Sequence, residues 1–165
     1  MDNQHEARLQ PLLSSTTIDQ ALETAMAFEH SAHRLYISLA ATLRAELRPL
    51  LEELAAEELE HYRLLSDLAR DKQCAAPVRS KITAPTSTDR FASYVNLPRL
   101  PTDPLDDDIL EYARDRERVA FEHYAHLAEL APDGPVRDLF GFLRDEERKH
   151  EQQLETRWAT TFSIF

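Results

Sequence analysis

At 165 residues, with 42% apolar residues and only two glycines, the chain has enough material for one core of ordinary size and suits a helical domain better than a turn-rich β fold. Its formal charge of −11, from 19 basic and 30 acidic residues, argues against phosphate backbones and anionic membrane surfaces as main partners, so neither nucleic acid nor membrane is expected. Residues 1–17 lack the basic start and apolar segment of a leader, no apolar run approaches the ~20 residues of a membrane span, and Cys74 stands alone, which together fit a reducing, cytoplasmic setting.

Four helices and one long connection are expected, in a single domain over residues 1–165. Thr17 and Gln20 form a capping-box pattern ahead of a 3.6-residue periodicity, which predicts a first helix over about 18–46. Pro49 suits the first position of a second helix over about 49–71, and the Arg48-Pro49 step requires the first to stop before it. The two should form an antiparallel hairpin. From about 73 to 105, Pro77, Pro85, Pro98, Pro101 and Pro104 argue against helix, while Phe91, Tyr94, Val95, Leu97 and Leu100 would anchor this crossover along the molecule. Asp106 offers an N-cap for a third helix over about 107–131. Pro132-Asp133-Gly134-Pro135 breaks it, and a fourth helix over about 136–158 leaves an apolar tail of Phe162, Ile164 and Phe165. Roughly thirty residues of crossover can travel the ~30 Å of a helix, so the second and third helices can run parallel. The expected fold is all-α, a ferritin-like four-helix bundle of two antiparallel hairpins joined by a long crossover.

The chain repeats one pattern twice. Glu29 to Tyr36 reads E-x-x-A-x-x-x-Y and is followed by E-E-x-x-H ending at His61; Glu117 to Tyr124 repeats the first motif, and E-E-x-x-H ends again at His150. A lone E-x-x-H carries little weight, because 17 glutamates and seven histidines produce about 0.7 by chance. The conjunction is specific. Glu58 and His61 interrupt the seam Leu51, Leu54, Leu65, Leu68, and Glu147 and His150 interrupt Phe140, Leu143, Leu154. Glu29 with Tyr36 and Glu117 with Tyr124 fall on the matching stripes of the other two helices. Four carboxylates and two imidazoles aimed into a dry interior call for bound cations, and two divalent ions would balance the four carboxylates.

Glu58 with His61, and Glu147 with His150, are three residues apart and could each hold one metal by an oxygen and a nitrogen, leaving Glu29 and Glu117 to chelate or bridge. Mixed oxygen and imidazole ligation suits iron or manganese, with zinc still open. Tyr36 and Tyr124 are expected to donate hydrogen bonds to ligating carboxylates. Glu57 and Glu146 fall on flanking rows and read as rim residues in local ion pairs. His33 shares the stripe of Glu29, but the matching residue on the third helix is Phe121, so it reads as a neighbour of the site ahead of a ligand. His30, His123 and His126 read as solvated, and Glu52, Glu53, Glu60, Asp145 and Glu151 as an outer charged face.

The set Glu29, Glu58-x-x-His61, Glu117, Glu147-x-x-His150 resembles that of the ferritin-like di-iron carboxylate proteins, and most of all the rubrerythrins. The resemblance implies two iron ions held by those six residues, and reduction of hydrogen peroxide or dioxygen. Rubrerythrins commonly carry a four-cysteine rubredoxin domain. With one cysteine here, electrons are expected from a separate, rubredoxin-like donor. Rubrerythrins also carry a further glutamate one turn after the third-helix ligand, where this chain has Ala120 and Phe121. A ferroxidase feeding iron storage and a metal-stabilised helical scaffold are the alternatives, and a homodimer is the expected assembly.

Overall fold

The computed structural model describes residues 16–71, 81–82, 91, 94 and 104–162. Four helices dominate: α1 (Ile18–Thr42), α2 (Arg48–Arg70), α3 (Asp106–Leu130) and α4 (Pro135–Phe162). A two-residue strand β1 (Thr16–Thr17) pairs antiparallel with β2 (Lys81–Ile82), a small addition that the helical periodicity did not predict.

The start of α1 follows the sequence pattern. The Thr17 hydroxyl accepts from the Gln20 amide at 3.2 Å, and the Gln20 side chain accepts from the Thr17 amide at 2.9 Å. The other ends shift by a few residues, each for a local reason. Helix α1 stops at Thr42, because Leu43 and Leu47 turn inward and are buried in the connection to α2. Pro49 occupies the second position of α2, tolerated there because the first-turn amides lack helical partners anyway. Asp106 is not the N-cap of α3. Its carboxylate is engaged by the Arg44 guanidinium at 2.7 Å, so Leu105 precedes the helix without a side-chain cap. Helix α4 passes Trp158 and includes Phe162, while Ile164 and Phe165 lie outside the described residues.

Each hairpin is closed in the same way. Arg48 Nε donates to the Ala40 carbonyl at 3.2 Å, and Arg137 Nε donates to the Ala128 carbonyl at 2.8 Å, so an arginine entering one helix satisfies the free carbonyls ending the previous one. Gly134, at φ 136°, supplies the left-handed residue in the second turn.

Cross-helix contacts fix the directions. His33 meets Ala55 while Glu29 meets His61, so α1 and α2 are antiparallel. Tyr36 reaches Glu117 while Tyr124 reaches Glu29, so α1 and α3 are antiparallel too. It follows that α2 and α3 run parallel, as the length of the crossover permits, and the all-α four-helix ferritin-like bundle is the fold observed. Of the crossover anchors, Phe91 and Tyr94 are described, and both have helical backbone where the prolines predicted none; Pro85 and Pro98 are far enough apart to permit it. Phe91 is buried between the rings of Phe28 (4.2 Å) and His123 (3.8 Å), and the Tyr94 carbonyl accepts from the Ser31 hydroxyl at 3.0 Å. Val95, Leu97 and Leu100 lie outside the described residues. Among the described residues no helix is long and apolar enough to cross a membrane.

Candidate metal centre

Two apolar clusters occupy the bundle, one around Phe28, Leu65, Tyr124 and Phe140 and the other around Leu39, Leu51, Leu54 and Leu110. All six candidate ligands converge in the buried interior. Glu29, Glu58, Glu117, Glu147 and His150 are fully buried and His61 is 2% exposed. Heptad spacing explains this directly, since each occupies the inward position of its helix.

Their ligand atoms fall into two groups, each within 4.8 Å: Glu29, Glu58, His61 and Glu147, and Glu58, Glu117, Glu147 and His150. Glu58 and Glu147 are therefore common to both, whereas Glu29 belongs with His61 and Glu117 with His150. The short contacts also cross the hairpins. His61 Nδ1 lies 3.0 Å from Glu147 and 3.7 Å from Glu58 of its own helix, while His150 Nδ1 lies 2.9 Å from Glu58 and 3.6 Å from Glu147. Each imidazole thus lies nearer the glutamate of the opposite hairpin than the one of its own E-x-x-H motif.

The electrostatics follow the same division. Burial pushes the carboxyls of Glu29 and Glu117 well above the usual range, with the charge of Glu147 adding to the effect. Burial also opposes ionisation of Glu58 and Glu147, but hydrogen bonds prevail. Those from Glu29, His150 and His61 hold Glu58 well down, and those from His150, His61 and Glu117 hold Glu147 at about 2. Both imidazoles are pushed up against their own desolvation by hydrogen bonding to the surrounding carboxylates. The shared glutamates are thus held down and the outer two pushed up, with both imidazoles favoured in the charged form beside them. Even so, eight buried side-chain atoms of these six residues complete no well-formed hydrogen bond, including both oxygens of Glu58 and of Glu147 and Nδ1 of both histidines. Orphaned donors and acceptors at this density are costly without a further partner, and carboxylate and imidazole donors of this kind could hold divalent cations.

The tyrosines also cross between hairpins. Tyr36 donates from its hydroxyl to Glu117 Oε1 and Tyr124 donates to Glu29 Oε1. Burial, together with the charges of Glu29 and Glu147, pushes the Tyr124 phenol up, so it remains a donor across the working pH range.

Several flanking residues sit elsewhere than the sequence suggested. Glu57 is no simple rim residue, because His150 Nε2 donates to its Oε2 at 2.5 Å across the α2–α4 interface. Glu146 makes the expected local pair, with Lys149 at 3.4 Å. His33 takes no part in the centre; its Nδ1–H donates to the Ala55 carbonyl at 2.7 Å and ties α1 to α2. His30 and His126 are exposed, but His123 is buried with neither ring nitrogen hydrogen-bonded, and burial pushes it down to about 4, His126 adding a little. Glu151 is buried as well, because Arg118 of α3 reaches it at 2.7 Å.

Arg116 is a further buried residue outside the expected set. It is 1% exposed, donates to the Phe28 carbonyl at 2.8 Å and the Ser31 hydroxyl at 2.9 Å, and lies 3.9 Å over the Phe28 ring. A second buried row on α3, Ile109, Arg116 and His123, steps by sevens beside the row of Leu110, Glu117 and Tyr124. Following both rows in the sequence would have found Arg116 and His123. One turn beyond Glu117, Ala120 is buried and Phe121 lies under the Arg148 guanidinium at 4.9 Å.

Comparison with solved structures agrees with this architecture. A protein from Thermotoga maritima described as a ferritin-like di-iron-carboxylate protein is similar with a TM-score of 0.72 and 17% identity, over 91% of this chain and 98% of the other. A dodecameric thioferritin from Bacteroides fragilis, described as bacterioferritin-related, is similar with a TM-score of 0.67 and 20% identity over 98% and 95%. A hypothetical protein from Pyrococcus furiosus gives 0.63 and 24% over 86% and 88%. No curated protein sequence matches the chain. The model of the family described as Rubrerythrin matches residues 20–157, and the chain therefore belongs to the rubrerythrin family.

Proposed function

We propose that the chain is a di-iron oxidoreductase that reduces hydrogen peroxide, or dioxygen, with electrons from an external protein donor. The observation that carries this reading is the pair of overlapping buried groups with Glu58 and Glu147 in common. Glu29 and His61 would complete one metal position, and Glu117 and His150 the other. The four carboxylates would balance two dications, and the buried set would release protons as the metals bind. Bound as a ferrous pair, the metals would supply the two electrons that, with two protons, convert one peroxide to two waters.

The protein's own groups hold and insulate that chemistry. Tyr36 and Tyr124 fix one oxygen each of Glu117 and Glu29, leaving the other oxygen to face the centre. Leu51, Leu54, Leu65, Phe140 and Leu143 line the same stripes and exclude water. Manganese satisfies the same donor set, and the choice of iron rests on the family. A rubredoxin-like donor, a homodimer and a cytoplasmic setting belong to this reading, supported by the single cysteine and the prevalence of twofold assemblies.

The alternative is ferroxidase activity serving iron storage, which requires a shell; the Bacteroides fragilis protein of similar fold is dodecameric. Anaerobic ferrous loading followed by peroxide separates the two. The peroxidase reading expects uptake to stop at about two irons per chain, with fast oxidation and repeated turnover once reductant is supplied. Uptake continuing beyond that level in an assembled shell would replace it with storage, and zinc binding without redox response would leave a scaffold.

A further inference from the structure

The ligand set is reciprocal, but the residues behind the two imidazoles are not. Both E-E-x-x-H segments place a glutamate directly before the shared ligand, Glu57 on α2 and Glu146 on α4. Glu57 reaches across to the opposite hairpin and accepts the Nε2–H of His150 at 2.5 Å. This bond fixes the tautomer and the ring orientation, keeping the Nδ1 lone pair available on the side where Glu58, Glu117 and Glu147 lie. Glu146 has an oxygen within 4.8 Å of a nitrogen on each imidazole, yet it pairs with Lys149 of its own helix at 3.4 Å. His61 instead packs perpendicular to the Phe142 ring, 6.3 Å between ring centres, and Phe142 is 45% exposed. One imidazole is held by a carboxylate, and the other rests against a half-exposed ring that accepts no proton from it.

We infer that the two metal positions are inequivalent: Glu57 is a positioning residue for His150, and the position built from Glu58, Glu117, Glu147 and His150 binds its metal more tightly than the one completed by Glu29 and His61. At one metal per chain, the occupied position is that of His150. The His61 position is the one that fills last and exchanges first, and at that position a different second metal can enter. This inference rests on the two-metal reading above and adds to it an order of filling.

The test is an anaerobic titration of the full chain with Co²⁺, followed by visible absorption and calorimetry with a competing chelator. The wild-type chain should show two binding events at least about tenfold apart in affinity, with distinct absorption bands. His61→Ala should keep the tighter event and lose the weaker one. Glu57→Ala should weaken the tighter event by roughly 10- to 100-fold and shift its absorption, and Glu57→Gln, whose amide oxygen still accepts from Nε2–H, should restore most of the affinity. Glu146→Ala should move neither event by more than about twofold. Glu57 is half-buried on a helix, so its alanine variant should unfold like the wild type without metal, and a loss of fold would overturn a purely positioning role. Two indistinguishable events in the wild type, or equal weakening by Glu57→Ala and Glu146→Ala, would overturn the inequivalence while leaving the two-metal reading intact. Fewer than two bound metals would overturn both.

Discussion

Around Glu58 and Glu147 the two hairpins answer each other contact for contact. Tyr36 reaches Glu117 and Tyr124 reaches Glu29, while His61 lies 3.0 Å from Glu147 and His150 lies 2.9 Å from Glu58. One layer out they diverge. Behind His150 stands Glu57, and behind His61 stands Phe142; α1 offers Phe28 and Leu35 where α3 offers Arg116 and His123. The inner layer has the donors that the proposed pair of cations would require, and a duplicated pattern supplies them twice. Only packing and local charge constrain the outer layer, so the two halves are free to differ there, and the inequivalence of the centre originates in that freedom.

The largest expected effect comes from breaking the shared positions apart from the unshared ones. Because Glu58 and Glu147 belong to both groups, Glu58→Ala or Glu147→Ala should reduce bound metal from about two per chain to near zero. Glu29→Ala or Glu117→Ala should leave about one. Metal analysis after loading and desalting reads the difference directly. Equal losses in all four variants would mean that the groups do not divide in this way.

A second comparison sets His123 against its surroundings. Its ring lies 3.8 Å from Phe91, with neither nitrogen hydrogen-bonded, and burial depresses it from 6.5 to about 4. As pH falls below about 6.5 the unfolded chain takes up this proton before the folded one does, so stability falls with pH down to about 4. The loss amounts to at most roughly 3–4 kcal/mol. Among the described residues, the groups facing His123 are the rings of Phe91 and Tyr124, with the charge of His126 acting from its own helix. His123→Phe should therefore remove part of the acid sensitivity and retain the ring stack. Denaturant unfolding of metal-free protein at pH 8 and pH 5 checks it, and an unchanged pH slope would show that the ring already finds a partner for its proton.

The sequence exposed the inner layer because polar residues interrupting a leucine seam at heptad spacing stand out in one dimension. Helix number, the parallel run of α2 and α3 and the convergence of Glu29, Glu58, His61, Glu117, Glu147 and His150 all follow from that periodicity and from crossover length. The outer layer was hidden for physical reasons. Glu57 and Glu151 find partners on other helices, and which neighbour a flanking residue meets depends on helix rotation and crossing angle, which periodicity does not encode. Arg116 and His123 lay on a second buried row whose polar members look like surface residues until the row is followed by sevens. The ends of α1 and α3 moved because Leu43, Leu47 and Asp106 answer to tertiary partners over local cap preference.

The smallest effect tests reciprocity itself. Tyr36→Phe and Tyr124→Phe each remove one donor to a buried carboxyl oxygen and keep the ring in place. Each should cost about 1–3 kcal/mol in metal-free protein, because an acceptor is left without its donor in a dry interior. If the inner layer is reciprocal, the two values should agree within about 0.5 kcal/mol, near the limit at which independent sites are compared. Their effects on metal binding should differ even so. Tyr36 serves Glu117, in the position closed by His150 and Glu57, whereas Tyr124 serves Glu29, in the position of His61, so the first variant should weaken the tighter event and the second the weaker one. A common effect of both on a single event would show that the tyrosines act on the centre as a whole, and the division into two positions would then have no basis in the residues that orient its carboxylates.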